Sequence, residues 1–169
     1  MGKVMSDRRT VAAIMDIRRD DLSGSATQEL VRLHLDGMHA NSPPSHTFAL
    51  GLSGLQAPDV TVWSAWAGDE ILGMGALKRL DAWSGEVKSM RTHPDYLRRG
   101  VASALLEHII IEARTRGYQR LSLETGSGPA FEPALTLYRR RGFVDGDPFG
   151  EYTPSDFNQF LHLRIDPSC

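Results

Sequence analysis

The sequence predicts a mixed α/β fold, one sheet carrying helices on its faces. Three observations lead there. Short apolar runs alternate with periodic helical stretches. Two of the runs meet at Gly68-Asp69, a tight-turn pair that marks a hairpin. Two later runs, 86–93 and 120–125, are separated by a helix, the pattern of a parallel pair. At 169 residues the chain is expected to form a single domain over 1–169, with residues 1–8 as a flexible N-terminus.

Each element has its own signal. "RTVAAIMDI" (9–17) reads as the first strand. Over 25–40, Leu30, Leu33, Leu35 and Met38 recur at helical spacing, with Ser25 as the expected N-cap. "NSPPS" breaks the chain, and a short helix is expected around 46–55. "VTVWSAWA" (60–67) and "ILGMGALKRL" (71–80) form the hairpin, in which Trp63 and Trp66 fall on opposite faces. "EVKSMRTH" (86–93) is a strand ended by Pro94. Period two places Glu86, Lys88 and Met90 on one of its faces. Over 100–116, Ala102, Leu105, Leu106, Ile109, Ile110 and Ala113 share one helical face, and Gly117 supplies the stop. "RLSLET" (120–125) is a strand. "EPALTLYRRR" (132–141) is a helix stopped by Gly142, and "FLHLRI" (160–165) is the last strand.

Composition narrows the function. Hydrophobic and charged fractions of 41% and 24% are those of a soluble globular protein. A net charge of -2 gives no basis for broad binding to nucleic acid or an anionic membrane, so any anion site is local. The only cysteine is Cys169, which excludes a disulfide framework and a cysteine-rich zinc site and fits a reducing, cytoplasmic setting. The N-terminal stretch is too regularly charged for a secretion signal, and no apolar run could span a bilayer. His46, His108 and His162 lack metal-ligand spacing, so no metal is expected.

One stretch conflicts with ordinary helix chemistry. "LRRGVA" (97–102) opens the 100–116 helix with two arginines at the positive end of the macrodipole. An anion bound by the free N–H groups, with a glycine to let it approach, would resolve the conflict. Two solvated surface arginines after a turn are the plain alternative. No Walker A loop or dinucleotide fingerprint is present, so the anion belongs to another kind of phosphate-bearing ligand.

"MRTHPDYLRRGVASALL", "GYQRLSLET" and "PALTLYRRRGF" together resemble the GNAT superfamily of acetyl-CoA-dependent N-acetyltransferases. The resemblance covers residues 60–146. It departs at Leu97, where the signature has Gln or Arg, and at Glu132, where many members have Asn. It implies a mixed, largely antiparallel twisted sheet of six to seven strands with helices on both faces. It further implies that Arg98, Arg99, Gly100, Val101, Ala102 and Ser103 hold the pyrophosphate of coenzyme A. Met90, Arg91 and Thr92 would offer backbone groups to its arm. Strands 86–93 and 120–125 would splay to admit it.

Acetyl transfer needs a neutral amine, a polarised carbonyl and a proton for the leaving thiolate. The resemblance makes Tyr138 the general acid; a core aromatic is the alternative. Glu86 is the candidate base, against a Glu86–Lys88 surface pair or relay through water. Glu124 is a candidate for binding the substrate amine, against an exposed strand end. The resemblance puts His34 on the helix that shapes the acceptor side. "YTPSD" (152–156) is either a rim loop over that side or a surface turn. The acceptor is a small molecule, an amino acid or a peptide N-terminus, and the family makes a homodimer plausible. A non-catalytic acyl-CoA sensor on the same fold and a nucleotide- or phosphosugar-binding domain are the rival readings.

Overall fold

A computed structural model describes residues 15–46 and 48–166. The expected flexible stretch 1–8, most of the expected first strand and Cys169 lie outside these residues. The strand that is described, β1, spans Asp16–Arg19. There follow α1 (Ser25–Asn41), the single turn α2 (Leu52–Leu55), β2 (Val60–Ala67), β3 (Glu70–Arg79), β4 (Ser84–Thr92), α3 (Val101–Thr115), β5 (Arg120–Thr125), α4 (Glu132–Arg141), β6 (Val144–Asp145) and β7 (Gln159–Arg164). One seven-stranded sheet runs in the order β1-β2-β3-β4-β5-β7-β6, with only the β4–β5 pair parallel.

Two apolar layers sit on the two faces. Leu105, Leu106, Ile109 and Ile110 of α3 and Leu135 of α4 pack with Trp63, Leu72, Leu77, Leu121 and Leu123 of the sheet. Leu30 and Val31 of α1 and Leu55 pack with Val62, Ile71, Met74 and Ala76 on the other face. Helices therefore cover both faces, and both faces of the central strands are apolar.

Three expectations need correction. Ser25 is the first residue of α1 and not its cap; Gly24 holds that place, its carbonyl accepting from the Gln28 N–H at 3.1 Å. The turn before it is tied by Asp20, which accepts from the Thr27 and Ser64 hydroxyls. The buried residues of α1 are Thr27, Leu30, Val31 and His34; of the four expected inward, Leu30 is among them, while Leu33, Leu35 and Met38 are only partly buried. Gly100 precedes α3 in a left-handed conformation (φ +82), open to glycine at little cost. The stops hold: Gly117 and Gly142 are both left-handed, and the Tyr118 N–H reaches back to the Ala113 carbonyl.

Candidate active site

β4 and β5 pair only between Ser84–Glu86 and Arg120–Ser122. β4 then runs on to Thr92 and β5 to Thr125 without pairing to each other. In the gap lies a cavity of about 190 Å³, lined by Glu86 to Arg91 of β4, Leu123 to Thr125 of β5, His34 of α1, Tyr138 of α4 and Tyr152. The splay frees one edge of β4, whose peptide groups there have no strand partner.

A bulge decides which side chains enter this cavity. Lys88 faces Ala76 and Arg91 faces Met74, so Ser89 and Met90 together oppose Gly75. Ser89 takes up the extra residue at φ +55. Met90 turns toward α3; a Cβ on Gly75 would lie 2.6 Å from its sulfur. Arg91 then shares the face of Glu86 and Lys88. This corrects the expectation that Met90 is on that face: strict period two fails once an extra residue enters the strand. The Ser89 hydroxyl is buried without a partner among the described residues.

The four candidates for catalysis and substrate binding, Glu86, Glu124, His34 and Tyr138, meet in the cavity, with Met90 and Arg91 also in its lining. Glu86 is 3% exposed, and its Oε2 accepts from Lys88 Nζ at 3.2 Å and from the Tyr152 hydroxyl in a short hydrogen bond. Lys88 Nζ also donates to Tyr152 Oη at 2.6 Å. The pair is therefore buried and tied to a third residue, in place of the surface pair weighed from sequence. Glu124 is half-buried rather than exposed. Burial pushes its carboxyl up to about 7; the Glu86 charge adds to this, and Lys88 and an Asn158 hydrogen bond oppose it. His34 is buried, and its Nδ1 accepts from Arg91 Nε at 3.0 Å. Burial, then the charges of Arg91 and Lys88, hold its pKa down to about 4, so it is neutral at physiological pH.

Tyr138 is buried, with its ring against Phe143 at 5.7 Å, and makes no side-chain hydrogen bond to a described residue. Burial pushes its hydroxyl well above the usual tyrosine range, so it stays protonated.

At the far end of the splay, Arg98 (φ +61) and Gly100 are both left-handed. The first amide of this stretch with a backbone acceptor is that of Ala104, which donates to the Gly100 carbonyl at 3.0 Å. Among the described residues nothing accepts from the N–H groups of Arg98 through Ser103, and the first turn of α3 holds no acidic residue. Arg99 lies over the Tyr96 ring at 5.6 Å, while Arg98 is exposed. Amides without acceptors, a positive helix end and two neighbouring arginines are groups that could together hold an anion.

Tyr152 was visible from sequence only as part of a rim loop. Asn158 fastens that loop, accepting from the Ser155 N–H at 2.8 Å and donating to the Thr153 carbonyl at 3.0 Å. Lys88 and Asn158 were not singled out. The signal for Lys88 was its shared face with Glu86; none marked Asn158. Among the described residues no three His, Cys, Asp or Glu side chains are grouped to hold a metal ion, and no helix is long and apolar enough to cross a membrane.

The acetyltransferase (GNAT) family profile matches residues 12–143. The chain belongs to this family. An uncharacterized N-acetyltransferase of Bacillus subtilis (strain 168), YsnE, is 54% identical over 151 residues, which cover 89% of this chain and 100% of the relative. A second, YedL of Escherichia coli (strain K12), is 48% identical over 149 residues, or 88% of this chain and 94% of the relative. Among solved structures, a GNAT family acetyltransferase from Elizabethkingia anophelis with acetyl-CoA bound has the same fold. Its TM-score is 0.66 at 19% identity, and the match covers 90% of this chain and 99% of that one. This GNAT protein is an N-acetyltransferase.

Proposed function

We propose that this GNAT enzyme transfers an acetyl group from acetyl-CoA to a primary amine by direct attack in the β4–β5 cleft. The observation that carries the proposal is the parting of β4 from β5 after Glu86 and Ser122, which opens a cavity lined by Tyr138, Glu124 and Glu86. The residues present fit the co-substrate: the amides of Arg98 through Ser103 and the two arginines suit a pyrophosphate. The freed β4 edge at Met90, Arg91 and Thr92 suits an amide-bearing arm, and the orphaned Ser89 hydroxyl lies beside it. That a protein of the same fold is described with acetyl-CoA bound supports this assignment. When bound, acetyl-CoA supplies a thioester and hence an activated acetyl group.

The chain's own groups divide the remaining work. Glu124, with its carboxyl poised near 7, accepts a proton from the substrate ammonium and leaves a nucleophilic amine. Glu86 is engaged by Lys88 and Tyr152, so its part is to hold their positions beside Glu124. The β4 amides are placed to polarise a carbonyl oxygen. Tyr138 donates its hydroxyl proton toward the leaving sulfur. Burial raises the tyrosine, and the same dry surroundings make a thiolate formed there more basic, which keeps the transfer near balance. The amine attacks the thioester directly, and no cysteine stands among the described residues to take up the acetyl group.

A thermal-shift comparison of acetyl-CoA, CoA and ATP tests the cofactor assignment. At a concentration about 100 times its dissociation constant a ligand stabilises by ~2.7 kcal/mol, a rise of several degrees. Thiol release from acetyl-CoA in the presence of amines then tests the chemistry. A shift with ATP but not with CoA species would overturn the proposal.

A further inference from the structure

Arg91 is a half-buried cation without a carboxylate. Its Nε donates to His34 Nδ1 at 3.0 Å, and one terminal nitrogen lies 3.5 Å from the His34 carbonyl oxygen. Both acceptors are neutral, and no Asp or Glu oxygen among the described residues lies within 4.0 Å of the guanidinium. Arg116, Arg139 and Arg141, by contrast, each meet an acidic partner. Partial burial of a charge is costly unless something pairs with it.

The surroundings hold that cation at the cavity. A Cβ on Gly37 would lie 3.0 Å from a terminal nitrogen of Arg91, so α1 leaves room for the guanidinium. The bulge at Ser89 brings Arg91 onto the acceptor-side face, away from the arginine turn. The other cavity cation, Lys88, is already met by Glu86 and Tyr152. Glu124 faces the same space from β5. The cavity thus has an anionic pole at Glu124 and an unmatched cationic pole at Arg91, within a volume of about 190 Å³ that suits a small molecule.

We infer that the acceptor is a small amine that also carries a carboxylate, which Arg91 binds while Glu124 receives the amine. This rests on the acetyltransferase reading and names its substrate class. Arg91 is a specificity residue, and His34 is the positioning residue that fixes its fork.

The test pairs each carboxylate-bearing amine with its carboxylate-free analogue: glycine with methylamine, β-alanine with ethylamine, 4-aminobutyrate with propylamine, and the common α-amino acids with their decarboxylated amines. For each enzyme the ratio of kcat/KM within a pair is measured, so general losses in folding or CoA handling cancel. Wild type is expected to favour at least one carboxylate member by on the order of 10- to 100-fold, the scale of a charged hydrogen-bonded pair. Arg91→Gln is expected to bring that ratio near one through a raised KM, and Arg91→Lys to keep part of it. Calorimetric titration of the same amines into the CoA-loaded enzyme provides a readout apart from turnover. Acetylation of plain amines with no carboxylate preference overturns this inference and leaves the acetyltransferase reading standing. No turnover and no CoA binding overturns that reading, and the titration, then run on the free enzyme, still decides whether Arg91 binds carboxylates. Preference and binding unchanged in Arg91→Gln would also overturn the inference.

Discussion

Glu124→Gln tests the proton path and the electrostatics of the cleft together. Burial lifts this carboxyl from an ordinary 4.5 to about 7. A carboxyl raised in the folded chain favours folding while it is protonated. Its contribution is fully present below the unfolded value near 4.5 and is lost as pH rises through about 7. At ~1.4 kcal/mol per tenfold change the whole lift corresponds to about 3 kcal/mol. Water at the half-buried side chain screens it to on the order of 1 kcal/mol. The glutamine variant carries no such charge. It is expected to melt roughly 2–4 °C above wild type at pH 8, with the gain gone at pH 4.

Activity moves the other way. Wild-type kcat/KM is expected to rise about tenfold per pH unit up to pH ~7 and then level, as a base with that pKa requires. The variant is expected to fall on the order of 10²- to 10³-fold on the plateau and to lose the limb. Acceptor amines of different basicity separate this limb from that of the substrate, which moves with the amine. Differential scanning fluorimetry and thiol release across pH 4–9 supply both curves. A limb near 7 that persists in Glu124→Gln, or a stability difference that does not change with pH, would refute the reasoning.

Three other substitutions probe the remaining parts. Tyr138→Phe removes a hydroxyl without a side-chain partner, so stability is expected to change by no more than ~0.5 kcal/mol while kcat drops on the order of 10²-fold, checked by melting and steady-state rates. Gly100→Val forces a β-branched residue to φ +82; about 1–2 kcal/mol of stability is expected to be lost, and KM for acetyl-CoA to rise at least about tenfold, since the neighbouring amides lose their arrangement. Tyr152→Phe takes a hydrogen-bond partner from both Glu86 and Lys88. The expected loss is about 1–3 kcal/mol in chemical denaturation, with the acetyl-CoA dissociation constant changed less than about twofold because the residue lies on the acceptor side.

Much of the frame was legible because local chemistry set it. Gly117 and Gly142 end their helices where the apolar stripe ends, and Gly68-Asp69 closes its hairpin. The arginine turn was legible as a conflict: cations at a positive helix end need a reason. Other features depended on distant partners. β6 is two residues long and exists because β7 pairs with it. Tyr152 reaches Glu86 across 66 positions, a contact that no local pattern encodes. The inward turn of His34 was partly visible, since it lies four residues after Leu30 and three after Val31. The amphipathic leucines nearby drew the expected stripe away from it.

The bulge at Ser89 links these features. Without it, Met90 would point toward α1 and Arg91 into the apolar layer beneath α3, where an unpaired guanidinium would be untenable. With it, the methionine fills the space over Gly75 on the α3 face and the guanidinium reaches His34 on the other. The same part of β4 is where β5 has already diverged, so its outer edge is free just where its side chains change faces. A single inserted residue therefore divides the labour of the strand. On the proposed assignment its backbone edge would serve the acyl donor and its side chains on one face the acceptor, so Arg91 could offer a peptide group to one ligand and a charge to the other without conflict.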